Sequence, residues 1–446
     1  MRMPIVCLDS VLRQYLDLFR GCFSRPQYKY FVIILLGLML CQSHRTMSGL
    51  LAQVSSQVSL SGASRFMGQA PWSADELART WQNQFRQEMT VQVATEQARS
   101  RRGQPKRRGK PKKTVVTEPA LNAVKGYLIG DDSTLTKRRG QKMGGLGRHY
   151  SGTEKKTVTG HSLVQGLYVL LGRRCPLTPQ MYRQQAVCAA EGIPFVSKID
   201  IMAELIHTFE PVAGTLTHVL LDSWYTCKRI WQVARERGFL ITSGLPCNRW
   251  LRVEDSDAPK RWRWQRVDEY ATALPAEKWQ RMLWPSQKEG RWVYVHVVST
   301  RIRKLYRCQL VIVRGQLAED EEETTRFWAS SDLEAEATTL LAHIAARWAI
   351  EVLFADTKEL LGLDQYQLMS ATAIHHFWTL VMLAYAFLDR ERDRQQRQTN
   401  EHVTIGDAWR QVRATHWCHF IDWIHEEFKF GAQPADLYQK LTGASL

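Results

Sequence analysis

The sequence predicts an α/β protein with a helical N-terminal region and a β-rich segment ahead of its last helices. Three observations predict it. Apolar and amphipathic helical patterning fills residues 1 to about 95, with few strand signals. A short apolar strand, a helical stretch and a second strand follow one another between residues 217 and 245, and strand–helix–strand with short connections makes an α/β unit with parallel strands. Helical periodicity then fades from about Asn248 to Ser330 and resumes near Leu333.

Taken in order, Phe31 to Cys41 (FVIILLGLMLC) is a continuous apolar run of eleven residues. A membrane helix needs about 20, and the run begins too deep for a typical signal peptide, so it reads as a buried helix. Ser73 and Glu76 have capping-box spacing and mark a helix start. Such a helical unit could bind DNA ends or serve as a structural subdomain. From Arg99 to Lys113, nine of fifteen residues are basic and none is acidic, with proline and glycine interspersed. This predicts an extended, mobile linker whose Arg101, Arg102, Lys106, Arg107 and Arg108 contact phosphates. Tyr127 to Thr134 (YLIGDDST) reads as a strand ending in a turn, and Lys156–Val164 and Gly166–Gly172 as two more strands. Thr217 to Tyr225 (THVLLDSWY) is a strand ending in an acid, Thr226 to Arg237 a helix, and Phe239 to Leu245 a strand. Val293–Thr300 and Tyr306–Arg314 look like paired strands, and Glu319 to Glu323 form an acidic loop.

Lysine and arginine outnumber the acids 60 to 44, a formal charge of +16. A surplus of that size favours a polyanionic partner. The nine cysteines include no CxxC pair, which argues against a zinc module or disulfide framework and suits a reducing cytoplasm.

Three acidic positions sit where catalytic carboxylates gather. Asp131 and Asp132 cap the first strand and Asp222 ends the fourth; ligand sites in open α/β sheets lie at the carboxyl ends of strands. Turn-forming aspartates are the structural alternative. The third acid is Glu351, on a helix where Arg347, Glu351 and Lys358 share one face. Trp348, Ile350, Leu353 and Phe354 make that helix substantially buried, so its charges need a reason beyond a surface ion pair. Hard oxygen donors without a cysteine or histidine cluster point to Mg2+, with Mn2+ able to substitute. Two such ions can activate water and stabilise the leaving oxygen at a scissile phosphate.

In this order the pattern resembles the DDE transposases of bacterial insertion sequences, with their ribonuclease-H-like catalytic domain. The residues that carry the resemblance are Asp131-Asp132-Ser133-Thr134, Arg148 to Thr153, Gly160-His161-Ser162, Leu221 to Tyr225, and Arg347-x3-Glu351-x6-Lys358. The last matches a Tyr-x2-Arg-x3-Glu-x6-Lys signature, with Ile344 at the tyrosine position. The resemblance implies a mixed sheet flanked by helices and interrupted by a β-rich insertion. It also implies metal ligands at Asp132, Asp222 and Glu351, with Asp131 the alternative to Asp132 because the family's aspartate commonly precedes a small hydroxyl pair. Arg347 and Lys358 would contact transposon-end phosphates. The gap of 351 − 222 = 129 residues agrees with the branch carrying that insertion, from which an aromatic stacks on a flipped base in relatives. His149 and His161 resemble family positions but read as structural histidines.

The expected division is a helical region over 1–98, a basic linker over 99–119, a catalytic domain over 120–247 and 331–395, the β-rich insertion over 248–330, and a C-terminal helical region over 396–446. The expected activity is cleavage of transposon ends and their joining to target DNA. The partner would be double-stranded DNA, terminal inverted repeats and target alike. A homodimer would bring two ends together, without a membrane, in a bacterial cytoplasm at the nucleoid. A hydrolytic nuclease of the same fold and a catalytically unused DNA-binding protein are the alternatives. Glycoside hydrolysis gives no reason for the basic charge.

Overall fold

The computed structural model describes residues 10–41, 44–52, 58–102, 124–285, 290–315 and 324–442. Helices α1 (Ser10–Asp17), α2 (Arg25–Leu40), α3 (Met47–Leu51), α4 (Leu60–Gly68) and α5 (Ala74–Arg102) form the N-terminal region. Strands β1 (Val124–Thr136), β2 (Gly147–Ser151), β3 (Lys156–Leu170), β4 (Arg173–Pro176) and β5 (Gln180–Tyr182) come next. They lead into α6 (Gln185–Glu191), α7 (Lys198–Thr208), β6 (Thr215–Leu221), α8 (Lys228–Glu236) and β7 (Leu240–Gly244). The β-rich segment holds β8 (Trp250–Glu254), β9 (Trp262–Arg266), α9 (Val267–Thr272), β10 (Gln280–Leu283), β11 (Trp292–Arg301), β12 (Arg307–Gly315) and β13 (Thr324–Ser330). Beyond it lie α10 (Ala337–Ala346), α11 (Ala349–Leu361), α12 (Ala371–Thr399), α13 (Ile405–Lys429) and α14 (Pro434–Thr442).

The sheet is mixed, as expected, with helices on both faces. Its strand order is β10-β11-β12-β13-β7-β6-β1-β3-β2, with β4 and β5 also paired to β3. At its centre β1 runs antiparallel to β3 and parallel to β6, and β6 runs parallel to β7. The unit β6-α8-β7 is therefore the parallel α/β unit read from residues 217 to 245. Strand β13 joins β7 antiparallel, so the β-rich segment extends the same sheet, and β8 with β9 forms a small pair beside it. α10 packs on β6 and β7 and α11 on β1, while α7 and α8 contact β3 and β7 respectively.

Local chemistry explains most boundaries. Ser24 and Gln27 form a capping box that starts α2, and this helix buries Phe31 and Ile33 to Leu40 as expected of the apolar run. The Ser73 hydroxyl accepts from the Glu76 N–H at 3.2 Å, fixing the start of α5. α11 ends at Gly362, whose φ of +67° suits a residue without Cβ. The N-terminal helices share one apolar core with the sheet and α12. Trp72 stacks on His376 at 3.8 Å, and the Trp81 indole donates to the Pro176 carbonyl at 2.9 Å. A buried ion-pair cluster ties the same layers: Asp389, fully buried, accepts from Arg173 Nε at 3.1 Å, Arg392 Nε at 3.0 Å and the Arg174 N–H at 2.8 Å.

Four expectations are corrected. β3 is one strand of 15 residues where two were read. Gln165-Gly166 does not break it, because Gly166 leaves room for Leu177 and Leu205, whose side chains a Cβ would meet at 2.9 Å. β6 stops at Leu221, since Asp222 folds into a turn. β1 does not turn at its acids: pairing with β3 carries it to Thr136. Arg99 to Arg102 continue helix α5 and are not extended. Lys106, Arg107, Arg108, the side chains of Arg101 and Arg102, and the acidic stretch 319–323 lie outside the described residues.

Candidate active site

The parallel ladder between β1 and β6 ends at Gly130 opposite Leu221. One step further in register, Asp131 lies level with Asp222. Side chains alternate faces along a strand, so Asp131 and Ser133 share one face of β1 and Asp132 and Thr134 the other. This alternation sorts the two adjacent aspartates into different environments.

On the first face, α11 lies across β1. Arg347 Nη1 donates to Asp131 Oδ2 at 3.3 Å, and its Nη2 makes a short ion pair with Glu351 Oε1. One helix turn or more beyond, Lys358 Nζ donates to Ser133 Oγ at 2.9 Å. Asp222, held by N–H groups of Trp224 (3.0 Å) and Tyr225 (3.4 Å) on its Oδ1, completes the cluster from the end of β6. Burial, and then the charge of Asp222, push the Asp131 carboxyl up to about 7. Burial also raises Asp222, while Arg347 opposes the rise. Two carboxylates, Asp131 and Glu351, thus bond a single guanidinium, and Asp222 is near enough to feel its charge.

Among the described residues, no three acids, histidines or cysteines stand close enough to hold a metal ion as they are now oriented. The Arg347 guanidinium occupies the space between Asp131 and Glu351 and is the positive group around which the acids gather. The donor set itself, all carboxylate oxygen, fits a hard divalent cation.

On the opposite face Asp132 is fully engaged. Lys198 Nζ from α7 sits 2.5 Å from its Oδ2, and the buried Tyr225 hydroxyl donates to its Oδ1 at 2.8 Å. The structure joins Asp131 and Glu351 through Arg347, with Asp222 beside them, while Asp132, held by Lys198 and Tyr225, is also near enough to Asp222 to raise its carboxyl.

The helix carrying Glu351 differs from expectation in two respects. Arg347 and Trp348 form a tightened turn between α10 and α11, with the Glu351 N–H bonded to the Trp348 carbonyl at 3.0 Å. Ile350, Leu353 and Phe354 are buried, but Trp348 is 56% exposed. Ile344, at the signature's tyrosine position, packs in the apolar cluster beneath β11 to β13.

Several residues of the site were not singled out from the sequence. Lys198 and Tyr225 fix Asp132. Gly244 lets the Asp222 turn approach β7: a Cβ there would meet the Ser223 backbone nitrogen at 2.8 Å. Trp224, 69% exposed, lies two residues after Asp222, and Trp348, also exposed, three before Glu351, so two solvent-facing indoles lie near the acids in sequence. The LDSWY segment held a signal for this, since a tryptophan beside an acid in a turn has little apolar surface to cover it. His161 accepts from the Tyr366 hydroxyl at Nδ1 (2.8 Å) and lies 3.1 Å from the Gly144 carbonyl at Nε2, and burial lowers it to about 4. It is a neutral structural histidine. His149 is also buried and lowered to about 4.

Residues 113–292 match the family described as DDE superfamily endonuclease. The matched stretch spans Asp131, Asp132 and Asp222 and ends before Glu351. Among solved structures the chain is similar to the piggyBac transposase in a cryo-EM structure of its synaptic complex with hairpin DNA, at 10% identity and a TM-score of 0.36. The similarity covers 70% of this chain and 55% of the transposase chain. No curated protein matches.

Proposed function

We propose that this chain is a DDE-type transposase that cuts DNA at the ends of a mobile element and joins them to target DNA, with Asp131, Asp222 and Glu351 as the metal-holding carboxylates. The observation that carries the reading is the Arg347 bridge between Asp131, in mid-β1, and Glu351, at the start of α11, with Asp222 at the end of β6 close enough to raise the Asp131 carboxyl. The DDE-endonuclease match over two of the acids and the charge of +16 support it. Asp131 takes the role in place of Asp132, whose oxygens are committed to Lys198 and Tyr225.

Divalent cations, Mg2+ or Mn2+, would supply Lewis acidity at the scissile phosphate. The chain's own groups do the rest. Asp131, kept part-protonated near neutral pH by burial and Asp222, is the acid that responds most to an arriving cation. Arg347 leaves its place between Asp131 and Glu351 and turns its planar donors to a phosphate, a geometry guanidinium matches bidentately. Lys358, next along the same face, neutralises the adjacent phosphate. In the first step water attacks the phosphorus, the P–O bond to one nucleoside breaks, and a 3′-hydroxyl is released. In the second, that hydroxyl attacks a new phosphodiester, which expels its own 3′-oxygen as the leaving group.

The partner is double-stranded DNA, the two ends are held by a homodimer, and the setting is a bacterial cytoplasm at the nucleoid. Glu351→Ala should abolish cleavage of DNA carrying the element's inverted repeats while leaving end binding nearly intact. Metal-dependent cutting by that variant would overturn the assignment. Recovery of joined product after incubation of cut ends with plasmid separates transposition from simple hydrolysis.

A further inference from the structure

Beside the acid cluster, a cavity of about 1050 Å³ opens between the β1–β2 connection and the segment after α11. Its lining includes Arg138, Arg139, Lys142 and Lys358, with Met143 and Met369 beside Leu135 and Tyr366 among its apolar side chains. Glu154 and Asp364 are the acids that line it, and Glu154 is already paired with Lys156 at 3.2 Å and Arg138 at 3.8 Å. Arg139 and Lys142 are exposed and make no ion pair among the described residues. The wall is firmly held. Lys137 Nζ, buried, donates to the Asp364 and Tyr366 carbonyls at 2.6 and 2.8 Å and lies 3.3 Å from the Tyr366 ring centre. Gly144 N–H bonds the Met369 carbonyl at 2.7 Å.

Lys358 connects this cavity to the acids. It lines the cavity and donates to Ser133 Oγ, and Ser133 lies two residues, about 7 Å, past Asp131 on the same face of β1. A nucleic-acid strand whose reacting phosphate sits at Asp131, Asp222 and Glu351 can therefore run past Lys358 into the cavity. The space is at the top of the small-ligand range of about 300–1,000 Å³. That is too small for a duplex, whose major groove alone is about 12 Å wide, but suited to a pair of unpaired nucleotides. A basic groove that tracks the backbone is half of the arrangement that binds single strands without reading sequence, and here polarizable thioethers stand where aromatic platforms usually do.

We propose that this cavity binds a single-stranded DNA tail, the unpaired flank on one side of the scissile phosphate, with Arg139 and Lys142 on its backbone and Met143 and Met369 against its bases. The proposal deepens the transposase reading and rests on it for the strand's direction of entry.

The test is binding of fluorescent duplexes, blunt or bearing a short thymidine tail, by the full chain in EDTA, so that no metal or cleavage enters. The Arg139→Gln/Lys142→Gln variant should bind tailed DNA about tenfold more weakly, with its salt slope reduced by about 1.4, two phosphates at about 0.7 each. Blunt DNA should change by less than about twofold, because the phosphates that Arg139 and Lys142 would hold belong to the tail. Equal losses on both substrates, or no loss on either, overturn the proposal. A tail carrying 4-thiothymidine should photocross-link to peptides containing Met143 or Met369, and cross-links confined to other segments overturn it independently of any variant. Cutting by Glu351→Ala would sink the catalytic assignment while leaving this binding result as it stands.

Discussion

Replacing Asp131 or its neighbour Asp132 by asparagine separates two roles that adjacent positions conceal. With its carboxyl at about 7 against an ordinary 3.8, keeping Asp131 ionised in the folded, metal-free protein costs at most roughly 1.36 × 3.2, or about 4 kcal/mol. The sign is the reverse of the usual aspartate. Between about pH 4 and 7 the folded state holds the proton that the unfolded state has lost, so rising pH lowers stability, and the full cost applies above about 7. Asparagine removes that cost, in which the opposing pull of Arg347 on the ionised carboxyl is already counted. The net expectation without metal is a gain of up to about 4 kcal/mol at about pH 8 and none at about pH 4. For 446 residues that is about 1 °C of melting temperature per kcal/mol. Asp132→Asn instead weakens the Lys198 contact and should destabilise by about 1–3 kcal/mol. Thermal melts in EDTA across pH, alongside a metal-dependent cleavage assay, read both effects. Asp131→Asn should be catalytically dead and Asp132→Asn should cut within about tenfold of the parent. A dead Asp132→Asn protein beside an active Asp131→Asn one would refute the assignment of faces.

Three further outcomes are expected. Asp389→Ala takes a fully buried partner from Arg173, which keeps Glu88 at 3.3 Å and Asp393 at 3.7 Å, and from Arg392, and should cost about 1–3 kcal/mol in urea denaturation; a loss under about 0.5 kcal/mol would contradict the buried-pair reading. Gly244→Ala forces a Cβ onto the Ser223 backbone and should cut cleavage rate about 100-fold through displacement of Asp222, an effect of misplacement by about 1 Å. Full activity of that variant would show the turn to be tolerant. Trp224→Ala and Trp348→Ala should each weaken binding of substrate DNA by about 1–3 kcal/mol if the exposed indoles stack on bases, read as lost quenching of tryptophan fluorescence, and unchanged affinity would assign them no DNA contact.

Much of the fold was legible because its signals are local. The apolar run of α2, the Ser73 cap, the β6-α8-β7 unit and the paired strands β11 and β12 follow from periodicity and turn chemistry within short windows. What was illegible depends on pairing between distant segments. Asp131 and Asp132 are indistinguishable in sequence, since the face each occupies is set by the register of β1 against β6 and by the side on which α11 docks. Gln165-Gly166 resembles a break in β3, whereas pairing with β1 runs on through both residues and Leu177 and Leu205 pack close over the glycine. Arg347, Glu351 and Lys358 were readable as one stripe from spacing alone. Yet the exposure of Trp348 and the tightened turn beneath it depend on how α10 meets α11. Lys198 could not be found from the sequence, because its partner lies 66 residues away on another element.

Paramagnetic resonance of Mn2+ titrated into the protein tests the shared carboxylate site most directly. Parent protein should convert free Mn2+ to a bound signal that Asp131→Asn, Asp222→Asn and Glu351→Gln each abolish or greatly weaken, while Asp132→Asn retains it. Mn2+ binding that survives loss of any one of Asp131, Asp222 or Glu351, or that vanishes only with Asp132, would contradict the account.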